Sequence, residues 1–143
     1  MVFDPLAHYP LGASRADRLR TPGGMALEDV TLDALRAGRL AADDLRATAE
    51  TLASQAAVAR AAGRSQLADN LARAAELASV PPDVVLAVYT ALRPHRSTGA
   101  ELEAWAERLE GRHAAPLCAA FVREAREVYE ARGLQRSGER AAI

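Results

Sequence analysis

From about residue 42 onward, apolar side chains recur at three- and four-residue steps, the spacing of one helix face. Leu45, Leu52, Ala56 and Ala59 mark a first long helix, started by Asp43 or Asp44 at its positive dipole end and stopped by Gly63. Ser65 caps a second, where Leu67, Leu71, Ala74 and Leu77 or Ala78 share a face and Asp69 precedes Arg73 by one turn. A third helix opens with Pro82 in its first turn and closes at Arg93, before Pro94. Its body, Val84 to Leu92, is interrupted only by Thr90, with Asp83 just before it. A helix apolar nearly all round asks to be buried nearly all round. A chain this small has few elements to cover it, a first hint of a partner. Thr98 and Glu101 form a capping box for a fourth helix, with Leu102, Trp105 and Leu109 inward and Glu101, Glu103, Glu107, Arg108 and Glu110 toward water. A fifth runs from Pro116 to Gly133 and carries Leu117, Phe121, Ala125 and Val128, with Val122 and Tyr129 beside them.

The first thirty residues differ. Pro5, Pro10, Gly12, Pro22, Gly23 and Gly24 punctuate them too often for a helix, yet Phe3, Leu6, Tyr9 and Leu11 are apolar enough to want burial. The expectation is an extended arm over residues 1–30 that lies on something else. A short helix follows, with Thr31 as N-cap, LDALRA as its body and Gly38 as its stop. The predicted fold is all-α: about five helices in a small irregular bundle over residues 31–134, preceded by the arm and followed by a polar, mobile tail over 135–143.

Composition narrows the functional classes. Half the residues are apolar but only 4% are aromatic, and 18 basic side chains stand against 19 acidic ones for a net charge of −1. A nucleic-acid binder needs a basic surplus, so none is expected. Every basic residue apart from histidine is arginine, which reads as codon bias more than as function. A single cysteine, Cys118, excludes an internal disulfide and suits a reducing compartment. No apolar stretch approaches the ~20 residues of a membrane span, and MVFDPLAHYPLG lacks a secretory signal's charged start and apolar core. The expected location is the cytoplasm, with no membrane partner.

The search for chemistry is short. His8, His95 and His113 are too scattered for paired metal ligands, and Cys118 beside Leu117 reads as a small buried hydrophobe. No GxSxG elbow occurs. Thr21-Pro22-Gly23-Gly24 lacks the spacing and lysine of a phosphate loop and reads as a turn. The cluster Arg93-Pro94-His95-Arg96 stands out, with two arginines and a histidine and no carboxylate among them. These residues could satisfy the last carbonyls of the third helix, pair with carboxylates of this chain, bind an anion, or meet another subunit. Pattern alone does not separate these roles, although the two structural ones together rank first.

A resemblance adds what the pattern leaves open. The ordered segments HYPLGASR, TPGG, LEDVTLDALRAGRL, AADDLRATAETLASQAAVAR, LARAAELASVPPDVVLAVYTALRPHRST and CAAFVREAREVYE resemble the small subunit of adenosylcobalamin-dependent diol and glycerol dehydratases, from about Tyr9 to Leu134. The resemblance implies a dimer of heterotrimers that converts a 1,2-diol or glycerol to an aldehyde and water through a radical made at the cobalt–carbon bond. It places substrate and a metal ion in a (β/α)8 large subunit, and the cobalamin between the large and medium subunits. The small subunit then supplies no catalytic, cofactor-binding or metal-binding residue.

On that resemblance the partners are the large barrel subunit and the medium subunit. Candidate subunit contacts are Tyr9, Pro10, Leu11, Arg93, Pro94, Arg96 and Trp105. Some family members carry a longer amphipathic N-terminal extension tied to packaging in bacterial microcompartments. Few residues precede Tyr9 here, so packaging is expected to depend on other subunits. The family position matching His95 is commonly aromatic, which suits packing better than titration. A reading from another class is an independent helical adaptor that uses the same arginines on an acidic protein surface. The choice between propanediol and glycerol is made on another chain.

Overall fold

The computed structural model describes residues 3–137. Among these there are seven α-helices and no strand: α1 (Leu11–Ser14), α2 (Leu32–Arg36), α3 (Ala49–Ala61), α4 (Ser65–Leu77), α5 (Pro82–Ala91), α6 (Gly99–His113) and α7 (Pro116–Ala131). They fall into two compact units, one ending at Ala78 and the other beginning at Ser79. The five long helices correspond to the five expected. α2 is the short helix expected after Thr31, whose hydroxyl accepts the Ala34 N–H, and α1 is an addition.

In the first unit α3 and α4 form a hairpin. Its contact is made by small residues: Ala56, Ala59 and Ala68 are buried, whereas Leu67 and Leu77 remain partly exposed. Side chains ending at Cβ let two helix backbones approach closely, which turns the leucine stripe of α4 away from the seam. The expected start of α3 is corrected. Asp43 and Asp44 lie in a 3₁₀ turn, Ala42–Leu45, and Leu45 is exposed. The helix begins seven residues later than Ala42, where the Thr48 hydroxyl accepts the Thr51 N–H.

Asp44 has different work. Its carboxylate accepts hydrogen bonds from the Ala41 N–H at 3.0 Å, the Thr21 hydroxyl at 2.8 Å and the Gly23 N–H at 3.2 Å. Those donors, Ala41 foremost, hold its pKa below the ordinary aspartate value. The Thr21-Pro22-Gly23-Gly24 turn thereby closes against the chain, with the Thr21 and Met25 backbones bonded and an antiparallel bridge from Arg20 to Ala26. A Cβ at Gly23 would lie 2.5 Å from the Asp44 carboxylate, which three hydrogen bonds prevent from moving aside.

This also corrects the extended arm. Residues 3–30 are a run of turns containing α1 and two 3₁₀ segments, Ala16–Arg18 and Leu27–Asp29. Leu11 is buried, and Arg18 reaches both the Phe3 ring and Glu50. The apolar residues that asked for burial find part of it at home.

In the second unit α6 and α7 pair, with Leu102, Leu109 and Val122 fully buried between them. Val80, Val84, Ala106, Ala115, Cys118 and Ala119 complete the core. The Thr98–Glu101 capping box forms as expected. The inward face of α7 is rotated from the expected one: Cys118, Ala119 and Val122 are buried, while Leu117, Phe121 and Val128 are partly exposed. Ion pairs across α6 and α7 accompany this orientation. Arg123 bonds Glu103 at 2.9 Å and Glu110 at 2.8 Å, and Arg126 bonds Glu103 at 2.6 Å. Arg123 and Arg126 reach α6 from the side of α7 next to the buried Ala119 and Val122.

The start of the tail is tied rather than mobile. The Arg136 N–H bonds the Ser97 carbonyl at 2.9 Å, Arg136 pairs with Glu101, and the Gln135 amide reaches the Arg126 carbonyl at 3.2 Å. The rest of the predicted tail, residues 138–143, lies outside the described residues.

Leu102→Ala is expected to lower stability by about 2–5 kcal/mol, read from urea unfolding followed by circular dichroism, because the cavity sits where α6 meets α7. Acid provides a second check. The Arg123 hydrogen bond, before other causes, holds the Glu103 pKa below its ordinary value. The stabilisation from Glu103 is complete above the ordinary carboxylate range and is lost as pH falls through the lowered value. Glu103→Gln is expected to flatten part of the fall in melting temperature between about pH 5 and pH 2.

Candidate functional site: an exposed stripe at the end of α5

The residues expected to carry subunit contacts lie in both units. In the first, Tyr9 is 67% exposed while Leu11 is buried by its own unit, which leaves Tyr9 and Pro10 as the outward part of that triplet. Tyr9 sits at a groove of about 560 Å³ lined by Leu6, Leu19, Val58, Leu67 and Leu71, with Thr51, Gln55 and Arg64 as its polar members. The alanine seam of α3 and α4 explains the groove, since it leaves their larger side chains outside the helix contact. Among the described residues no carboxylate, imidazole or thiol lines it, and Tyr9 contributes a phenol. The described residues include no group of three or more His, Cys, Asp or Glu able to hold a metal ion. Four side chains with polar groups, Tyr9, Thr51, Gln55 and Arg64, also make a poor wall for a cofactor as large and amide-rich as a cobalamin. These residues fit neither group, and no reaction step is assigned to them.

The second unit carries the more informative surface. The inner side of α5 packs on the core through Val84, with Val85, Val88, Ala91 and Leu92 partly buried against it. The outer side keeps Leu86 64% exposed and Tyr89 70% exposed. The Thr90 hydroxyl bonds back to the Leu86 carbonyl at 2.9 Å, so the one polar side chain in the body of the helix is satisfied locally. The complete burial expected of this helix is therefore not met within the chain. One face is covered and one is left apolar and open.

Beyond α5 the chain turns through Arg93, Pro94, His95 and Arg96, all exposed. Two of the four roles open to this cluster are not seen among the described residues, and one of them is taken by other side chains. The Ser97 hydroxyl donates to the Ala91 carbonyl at 2.9 Å, and the Tyr129 phenol donates to the Leu92 carbonyl. The Thr90 carbonyl accepts the Arg93 backbone N–H at 3.2 Å. The arginine side chains thus do not cap the helix. Nor do they pair at home, for among the described residues no carboxylate forms an ion pair with Arg93 or Arg96.

The turn that presents them is firmly built. His95 has φ +60°, a left-handed conformation that histidine tolerates better than most side chains. Its N–H bonds the Leu134 carbonyl at 2.7 Å, and the Ser97 carbonyl accepts the Arg136 N–H, so the turn is clamped to the segment after α7. Ser97, only 7% exposed, gave no signal in the sequence beyond standing next to the cap Thr98. Trp105 lies elsewhere on this unit, half-buried against the core, with the Arg108 guanidinium 5.1 Å from its ring centre.

The open apolar face of α5 and the exposed arginines beyond it are surface without a partner among the described residues, and comparison with known proteins places the chain. The chain belongs to the dehydratase small-subunit family, whose model, described as "Dehydratase small subunit", matches residues 5–136. The propanediol dehydratase small subunit of Salmonella typhimurium is 47% identical over 124 residues, covering 87% of this chain and 72% of that protein. The corresponding subunit of Citrobacter freundii is 48% identical over 121 residues, covering 85% of this chain and 70% of its own length. A small subunit has other dehydratase subunits as partners. No helix among the described residues is long and apolar enough to cross a membrane.

The division of labour at the end of α5 can be measured. Tyr129→Phe and Ser97→Ala, which each strand a carbonyl, are expected to cost about 1 kcal/mol apiece in urea unfolding. Arg93→Gln and Arg96→Gln are expected to leave that unfolding curve unchanged.

Proposed function

We propose that this chain is the non-catalytic small subunit of an adenosylcobalamin-dependent dehydratase acting on propanediol or glycerol, and that its work is to stiffen the large barrel subunit from outside. The observation that carries the scaffolding reading is the outer face of α5. Two large apolar side chains, Leu86 and Tyr89, stand open to water on a helix that has no polar face to offer instead. The names of the relatives support a diol as substrate, and the barrel-bound substrate, the cobalamin and the dimer of heterotrimers follow from the family resemblance. In this reading the chemistry happens on the other subunits. This chain contributes apolar area and hydrogen-bonding groups to an assembly interface, of the kind that often exceeds about 2,000 Å² in obligate complexes.

Omitting this chain from co-expression tests the reading. The large and medium subunits alone are expected to give a complex of lower soluble yield, lower melting temperature and reduced dehydratase activity, each restored when this chain is supplied. Full yield, stability and activity in its absence would rule out a scaffolding role.

A further inference from the structure

The end of α5 leaves three facts together. Leu86, Tyr89 and Arg93 follow one another at three- and four-residue steps, so they form a single stripe roughly 10 Å long, continued by Arg96 around the turn. The stripe is apolar at one end and doubly cationic at the other, and no ion pair among the described residues neutralises it. Finally, the arginines are dispensable to their own helix, whose terminal carbonyls are bonded to Ser97 and Tyr129.

We propose that Leu86, Tyr89, Arg93 and Arg96 form a docking surface for another subunit of the assembly, which offers an apolar pocket bordered by carboxylates. The inference rests on the subunit reading above and deepens it by naming the surface and its partner's chemistry. Guanidinium groups are suited to this task because their planar fork grips a carboxylate through two parallel hydrogen bonds. A mobile loop would lose backbone entropy on docking. Here the turn is already held by the His95–Leu134 and Ser97–Arg136 backbone bonds, so the two arginines leave a rigid base. Tyr89 provides a flat amphipathic anchor at the centre of the stripe, the position where interface energy concentrates. A phosphate-bearing partner fits less well. The chain has no basic surplus, with 18 basic against 19 acidic residues, and the apolar half of the stripe would stay wet.

The test uses the complete assembly, purified through a tag on the large subunit, with retention of this chain measured over increasing potassium chloride. Native retention is expected to fall as salt rises. The double variant R93Q/R96Q is expected to weaken retention by about thirty-fold or more, and R93K/R96K to recover only part of it. L86A/Y89A is expected to weaken retention at every salt concentration, and Arg112→Gln, on an exposed site at the end of α6 far from the turn, to leave it unchanged. A photo-crosslinking phenylalanine derivative placed at Tyr89 is expected to join this chain to an acid-bordered segment of the large or medium subunit. Retention of both double variants at the native level overturns the docking surface, as does crosslinking only to a second copy of this chain. If the native chain itself is not retained at any salt concentration, the subunit reading fails instead. The two failures are therefore distinct.

Discussion

Two hydroxyl groups at the end of α5 govern what the second unit can present to its surroundings. A helix leaves its last carbonyls without intrahelical donors, and burying them unbonded is costly. Ser97 and Tyr129 supply donors from the turn and from α7, so the Ala91 and Leu92 carbonyls are bonded without any charged side chain. Had Arg93 or Arg96 been needed there, the cationic side chains would lie folded back on their own helix. They are instead held outward on a turn whose backbone is bonded to the segment after α7.

The first unit is organised by a similar device. Thr21, buried like Ser97, donates to Asp44 and accepts the Met25 N–H, which makes it the fastening between the turn at Gly23 and the segment leading to α3. Around this point the proline- and glycine-rich residues form compact turns, and an alanine seam joins α3 to α4. Small residues at the seam have a consequence on the outside. The leucines and valines that would fill a wider helix contact line an apolar groove instead.

The same pattern appears in both units: the polar requirements of the backbone are met internally, while apolar side chains are left over. For an independent domain that surplus would be a hazard, since large exposed patches promote unwanted association. For a family of small subunits it is a resource, because an assembly interface draws on such patches. Catalysis makes different demands, namely titratable groups brought together in a water-excluding pocket. Several carboxylates here are engaged with arginines or with backbone N–H groups, as at Glu103 and Asp44.

Much of this was legible in one dimension. Period and caps determine most of the long helices, because a hydroxyl such as Thr98 before an apolar run bonds only its near neighbours. At α3, however, the pattern points to Asp43 or Asp44 and passes over the Thr48 cap. The excess of apolar girth on α5 and the unusual Arg93–Arg96 cluster are equally local facts, and the ordered motifs point to the family. Which carboxylate meets Arg123, which hydroxyl closes α5 and which face of α7 turns inward are questions of a different kind. Their answers join residues far apart in the chain, such as Glu103 with Arg123 or Leu92 with Tyr129. A face carrying Leu117, Phe121 and Val128 looks like a core face until Arg123 and Arg126 take the side toward α6. Local pattern determined where the helices are and that apolar surface exceeds what the chain can cover. Only tertiary packing decided which side chains are left outward, because burial and ion pairing are settled between elements rather than within them.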